Sequence, residues 1–311
     1  MKTFTMPHTD LVVPDVTLGL MRIREMSDEQ VRDLVRAARD AGITFFDHAD
    51  VYGGDHGCER RFAEAMQLTP SQRSEIILQT KAGIVPADGG AYFDYSYEHI
   101  VAAVDGSLAA LDTDYIDILL LHRPDALVEP DEVARAFDEL AAAGKVRAFG
   151  VSNHTPGQIE LLKKSVTQPL VANQLQLSIT HASLIAQGVA ANMAGSDQSI
   201  VRDNGVLDYC RLHDITIQAW SPFQAGFFDG VFLDNPDYAD LNAVLYRLAA
   251  AYDVSPMAIA TAWITRHPAH MQVVLGTTNP ERVTSAAQGS DVPLTRPEWY
   301  ELFRAAGHIV P

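Results

Sequence analysis

Cysteine is nearly absent: Cys58 and Cys210 are the only two in 311 residues. That excludes a disulfide framework and fits a reducing compartment. Long apolar runs are missing too, and no stretch reaches the roughly 20 apolar residues that a helical membrane span requires. Basic charge is scarce, with 23 Lys and Arg against 40 Asp and Glu and a formal net charge of -17. No basic stripe reverses this locally, so neither nucleic acid nor a membrane is an expected partner. A phosphorylated ligand is not excluded, because a pocket needs only a few local donors. Residues 1–10 carry one Lys and lack the apolar core of a secretory signal, which sets the expectation of a cytoplasmic chain. No Gly-x-Gly-x-x-Gly follows the first main strand, which removes the usual Rossmann route to a dinucleotide, and there is no His-Glu-x-x-His. Low complexity, repeats and internal linkers are missing, so residues 1–311 are expected to form one domain.

What the chain does have is a rhythm. Two short strand-like pieces, Thr3-Phe4-Thr5 and Leu11-Val12-Val13, suggest an N-terminal hairpin. Val16 to Leu20 then reads as a strand, and Ser27-Asp28-Glu29-Gln30 opens a helix whose apolar positions Val31, Leu34, Val35 and Ala38 share one face. The alternation continues through strands at 44–49, 76–80, 116–121, 146–151, 170–177, 216–220 and 272–275, each followed by helical periodicity. The stretch between Lys81 and the helix at 97–111 reads as a loop. Runs such as Ile116-Asp117-Ile118-Leu119-Leu120-Leu121 are nearly continuous in apolar side chains, as parallel strands covered on both faces require. Eight strand–helix units in a chain of this length predict an α/β fold of the (β/α)8 TIM barrel type, with a short N-terminal hairpin and a C-terminal helical tail. A doubly wound sheet is the alternative.

In such a barrel the chemistry sits at the C-terminal strand ends. The second strand ends in Asp47, with Tyr52 just beyond; the third ends in Lys81, the fourth in His122-Arg123 and the fifth in Ser152-Asn153. The sixth carries Gln174, the seventh ends in Trp220-Ser221 and the eighth in Thr277-Thr278. Each alone has an ordinary structural reading: a surface lysine, a core histidine, a pair of helix caps. Together, an Asp, a Tyr, a Lys and a His on adjacent strand ends suit proton delivery to an oxygen that acquires negative charge. A buried Lys81 needs Asp47 as its counter-ion. Its ammonium is expected to lower the Tyr52 pKa toward working pH.

Phe46-Asp47-x-Ala49-x-x-Tyr52-Gly53, Lys81, Leu121-His122-Arg123-Pro124, Phe149-Gly150-Val151-Ser152-Asn153, Asn173-Gln174 and Trp220-Ser221-Pro222, in that order, resemble the aldo-keto reductase superfamily. Within it the chain is similar to bacterial members described only as oxidoreductases. The resemblance implies an NAD(P)H-dependent reductase of aldehydes or ketones whose partner is a small-molecule carbonyl substrate. It implies Tyr52 as proton donor, tuned by Lys81 and Asp47, with His122 aligning the carbonyl. It further implies that Ser152, Asn153 and Gln174 hold the carboxamide, that Trp220 stacks on the nicotinamide and that Ser221 meets the cofactor's phosphates.

The last cofactor segment would be Gly276-Thr277-Thr278-Asn279-Pro280-Glu281-Arg282, at a helix start where backbone N–H groups favour anions. Arg282 could fork onto a 2′-phosphate, favouring NADPH while leaving NADH open. Gly276 and Thr277 stand where many relatives place a Lys. The loop 53–59 is longer than the usual turn, and 180–204 is a long segment expected at the catalytic face as a lid or pocket wall, or as an ordered excursion. Tyr92, Phe93, Tyr95, Phe223 and Phe227 are candidates for an aromatic pocket wall. Two other readings stay open: a cofactor-binding sensor with little turnover, and a Schiff-base lyase using Lys81. His48, Asp50 and His56 only weakly suggest a metal-dependent hydrolase, and no metal is expected.

Overall fold

The computed structural model describes residues 1–226 and 229–311; Phe227 lies outside the described residues. A hairpin of β1 (Thr3–Thr5) and β2 (Val12–Pro14) opens the chain, pairing Thr5 with Val12. The first three barrel units are β3 (Val16–Gly19) with α1 (Asp28–Asp40), β4 (Phe45–Asp47) with α2 (Gly57–Met66) and α3 (Pro70–Ser74), and β5 (Ile77–Ala82). A second hairpin, β6 (Ile84–Ala87) and β7 (Gly90–Phe93), precedes α4 (Tyr97–Leu111). Then follow β8 (Ile116–Leu121) with α5 (Pro130–Ala142), β9 (Val146–Ser152) with α6 (Pro156–Leu162), and β10 (Leu170–Gln176) with α7 (Ser183–Val189) and α8 (Val206–Leu212). The chain closes with β11 (Thr216–Trp220), α9 (Ala239–Tyr252), α10 (Pro256–Thr265), β12 (Gln272–Leu275), α11 (Pro280–Ala287) and α12 (Arg296–Ala305).

Strands β3, β4, β5, β8, β9, β10, β11 and β12 pair in parallel, in that order, and β12 returns to β3. This is the closed (β/α)8 barrel expected from the alternation, with the N-terminal hairpin and the C-terminal helix in place. Local chemistry accounts for the boundaries. Ser27 and Gln30 form a reciprocal capping box that starts α1, and Gly42, at φ 87°, turns the chain out of it. Two stacked indoles dock the C-terminal helix: Trp263 and Trp299 lie 4.9 Å apart, and each donates its Nε1 proton to the other's carbonyl. Asp117, the one charge in the β8 run, is buried against Arg73 at 2.8 Å and also meets Arg147 at 3.0 Å.

The barrel interior changes character along its length. Phe45, Ile77, Ile118, Leu120, Ala148 and Ala172 form an apolar cluster with Met6 and Val13 from the N-terminal hairpin. Because side chains alternate across a strand, Asp47 follows Phe45 inward, and Gln79 and Lys81 follow Ile77. The inward positions thus pass from hydrocarbon to amides to charges toward the mouth.

The segment after Lys81 is not an irregular loop. Asp88-Gly89 make a two-residue turn that pairs Ile84 with Phe93 and Val85 with Tyr92. Gly83 leads into this hairpin at φ 110°, and a Cβ there would lie 2.2 Å from the Tyr95 ring.

Candidate active site

Backbone bonds carry the sheet past the end of β4: His48 N donates to Gln79 O and Asp50 N to Lys81 O. The chain then folds on itself, with Tyr52 N on Ala49 O, His56 N on Asp50 O and Cys58 N on Tyr52 O. These bonds hold Tyr52 over the strand ends even though the loop is long. Lys81 is fully buried; its Nζ donates to Asp47 Oδ2 at 2.7 Å and His48 O at 2.7 Å, and reaches the Tyr52 hydroxyl at 3.4 Å. The Tyr52 ring meets His122 edge-on, with centroids 5.6 Å apart. The four residues singled out from separate stretches of sequence are therefore neighbours.

Their electrostatics differ from the expectation in one respect. Burial is the largest influence on Tyr52, and it outweighs Lys81, so the hydroxyl is pushed above its ordinary value rather than drawn down. Burial also opposes charge on Lys81, but Asp47 and Tyr52 more than offset it and the ammonium is held above its usual range. At His122 burial, with Lys81 and Arg123 nearby, pushes the imidazole well below its ordinary value, so it is neutral near pH 7. Its Nδ1 is buried without a hydrogen-bond partner among the described residues.

A second group lines the mouth beside these. Ser152 Oγ donates to Gln174 O, Asn153 Nδ2 donates to Ser152 Oγ and His122 O, and Trp220 Nε1 donates to Asn153 Oδ1. Gln174 donates both amide protons inward, to Asp47 Oδ1 at 3.1 Å and Gln218 Oε1 at 3.1 Å. What this group offers outward is therefore chiefly acceptor oxygen, which suits the NH2 side of an amide. Asn153 and Ser221 both adopt left-handed backbone, at φ 63° and 54°, where their strands end. Asn tolerates this conformation; a Ser there costs energy and marks a shaped site. Phe223 is half-buried against the main core, and its carbonyl accepts from Phe232 N.

The strand-eight segment is less open to anions than its helix start suggests. Asn279 caps α11 and takes the Glu281 and Arg282 N–H groups at 2.8 and 3.2 Å, and Thr277 Oγ1 takes Asn279 N. Charge there comes from side chains. Arg282 is exposed, and Arg22, which the sequence reading did not single out, donates from Nη1 to Gly276 O at 2.6 Å.

Some of the aromatic candidates fall elsewhere than expected. Tyr95 is core: it stacks on His154 and its hydroxyl donates to Arg123 O, while Tyr92 and Phe93 remain exposed on the β6–β7 hairpin. The Arg123 guanidinium lies 5.7 Å from the Trp220 ring. Across 180–204, Thr180 Oγ1 donates to Gln224 O, and Gln198 exchanges two hydrogen bonds with the backbone of Ile309. A hollow of about 570 Å³ lies at the opposite end of the barrel, between Leu11, Arg147, Phe149 and Val171, and contains none of these groups.

Comparison with known proteins follows the same lines. The aldo/keto reductase family model matches residues 15–305. The uncharacterized oxidoreductase YcsN of Bacillus subtilis is 37% identical over 316 residues, covering 97% of this chain and 97% of that protein. A 6-dehydroglucose reductase of Agrobacterium fabrum is 34% identical over 301 residues, covering 94% and 93%. An aldo/keto reductase from Klebsiella pneumoniae, solved in complex with NADP and acetate, superposes with a TM-score of 0.72 at 25% identity, covering 95% of this chain and 92% of that one.

Proposed function

Because the chain belongs to the aldo/keto reductase family, we propose that this oxidoreductase is an NADPH-dependent carbonyl reductase in which Tyr52 delivers the proton. The observation that carries this reading is Lys81 closed off from solvent between Asp47 and the Tyr52 hydroxyl. When bound, the nicotinamide supplies the hydride. Tyr52, which stays protonated at neutral pH, passes its proton to the carbonyl oxygen as negative charge develops there. Lys81 stabilises the tyrosinate left behind, and Asp47 keeps Lys81 charged. His122, as a neutral imidazole, aligns and polarises the carbonyl rather than protonating it.

The remaining residues suit the coenzyme. Trp220, fixed by Asn153, offers a flat surface to a nicotinamide ring. Ser152, Asn153 and Gln174 present acceptor oxygen to its carboxamide, and Ser221 and Phe223 flank them. Arg282, with Arg22 on the Gly276 carbonyl and Gly276, Thr277 and Thr278 as the backbone leading to the helix, suits a 2′-phosphate, which supports NADPH over NADH. The segment 180–204 and the β6–β7 hairpin are read as pocket wall. A Lys81 held charged by Asp47 disfavours the Schiff-base alternative, which needs a neutral amine.

Titration with NADPH and NADH, followed by Trp fluorescence, tests the coenzyme; turnover with aromatic aldehydes and with 6-dehydroglucose tests the reaction. Binding with turnover supports the reductase, and binding without turnover favours the sensor. Absence of binding overturns the assignment, as would a borohydride-trapped adduct on Lys81.

A further inference from the structure

Below the Asp47–Lys81 pair, four glutamines from four strands fill the barrel interior: Gln79 on β5, Gln174 on β10, Gln218 on β11 and Gln272 on β12, all buried. Gln272 Nε2 donates to Pro14 O at 2.7 Å, which leaves its Oε1 to accept from Gln218 Nε2 at 3.0 Å. Gln218 and Gln79 exchange a reciprocal pair, Nε2 to Oε1 in both directions, at 3.0 and 2.9 Å. Gln79 Nε2 then donates its second proton to Asp47 Oδ1 at 2.6 Å.

The chain has a fixed polarity because both of its ends, the Pro14 carbonyl and the Asp47 carboxylate, only accept. Rotating any one amide by half a turn would set oxygen against oxygen, so the network has one fully bonded arrangement. Stability alone does not require amides here. Ile77, two residues before Gln79 on the same strand, fills the interior with hydrocarbon.

We propose that Gln79 is a positioning residue for proton delivery: locked by Gln218, it aims the Asp47 carboxylate so that Oδ2 meets Lys81 and Lys81 reaches Tyr52. This rests on the reading of Tyr52 as proton donor. The charged groups facing Gln79 are Asp47 and, beyond it, Lys81; the other amides in contact are neutral.

The test is Gln79→Glu, which keeps the shape but replaces two amide protons with one acid proton. When protonated it still donates to Asp47 Oδ1 while the bond to Gln218 Oε1 is lost, and when ionised it donates to neither. Carbonyl reduction should fall about 30-fold at pH 9, and recover in part as pH falls toward 5 and the new carboxyl, whose pKa burial and Asp47 both raise, is protonated and donates to Asp47 again. Coenzyme affinity, read by Trp fluorescence, should stay within about three-fold. Gln79→Asn, which withdraws the amide by about 1.5 Å, should lose kcat at every pH without that recovery. Wild-type kcat and pH profile in both variants would overturn the positioning role. So would a uniform, pH-independent loss in Gln79→Glu, the mark of simple core damage. Failure of the underlying reading shows separately, as a wild-type protein that binds coenzyme and reduces no carbonyl.

Discussion

Lys81 Nζ lies 2.7 Å from Asp47 Oδ2, and neither side chain has more than a trace of solvent contact. Breaking a buried pair from one side leaves the other charge without compensation, at a cost of about 3–5 kcal/mol. Asp47→Asn should therefore lower stability by that order in urea unfolding at pH 7, and reduce carbonyl-reduction kcat by more than about 100-fold. A variant with wild-type stability would mean that the lysine does not depend on this carboxylate.

Burial holds the Tyr52 hydroxyl above its ordinary value and the His122 imidazole well below its own. Neither group then changes charge around neutrality. Carbonyl-reduction kcat should stay within about two-fold from pH 6 to pH 9, whereas alcohol oxidation, which needs tyrosinate, should climb with pH across the same range. A reduction profile falling through pH 7 to 8 would contradict the geometry.

Much of this was readable from sequence, because it is local. The strand–helix alternation, the Ser27 capping box and the polar residues ending apolar strands are signals carried within a few residues of chain. Asp88-Gly89 between Ile84-Val85 and Tyr92-Phe93 was also a hairpin signal of this kind, although the stretch read as a loop. The glutamine network was not legible: Gln79, Gln218 and Gln272 are each one polar residue in a strand, and their partners lie across the barrel. Only the shared inward parity of Gln79 and Lys81 hinted at it. The direction of the Tyr52 shift failed for a physical reason, since the sequence suggests the ammonium beside it but not the desolvation that outweighs it. Asn279 before Pro280 is a helix-start signal in the sequence too, but that its side chain engages the Glu281 and Arg282 N–H groups is a matter of side-chain geometry.

Arg282→Ala tests the coenzyme preference. With the first-turn N–H groups engaged by Asn279, the exposed Arg282 guanidinium is the group proposed to meet a 2′-phosphate. Its removal should weaken NADPH about ten-fold, which is about 1.4 kcal/mol, and leave NADH nearly unchanged. Equal losses for both coenzymes would place Arg282 away from the 2′ position.

Asp50 tests the buried polar cluster behind the site. Burial, reinforced by Glu59, raises its pKa to about 7, and its Oδ1 has no hydrogen-bond partner among the described residues. The native state thus holds this proton more tightly than the unfolded chain, and stability falls as pH rises from about 4 toward 7. Asp50→Asn should remove that penalty, raising stability at pH 8.5 by an amount on the order of 2–4 kcal/mol and changing it little at pH 4. Equal stability of the two proteins at pH 8.5 would show that Asp50 ionises without cost.

The most direct test is single-turnover oxidation of bound NADPH by an aldehyde, compared between the wild type and Tyr52→Phe. The account predicts a rapid phase in the wild type that slows by about 100-fold or more in the variant, with NADPH affinity within a few-fold of wild type. Equal rates in the two proteins would remove Tyr52 as the proton donor, and loss of coenzyme binding in a folded Tyr52→Phe protein would mean that the residue holds the cofactor instead.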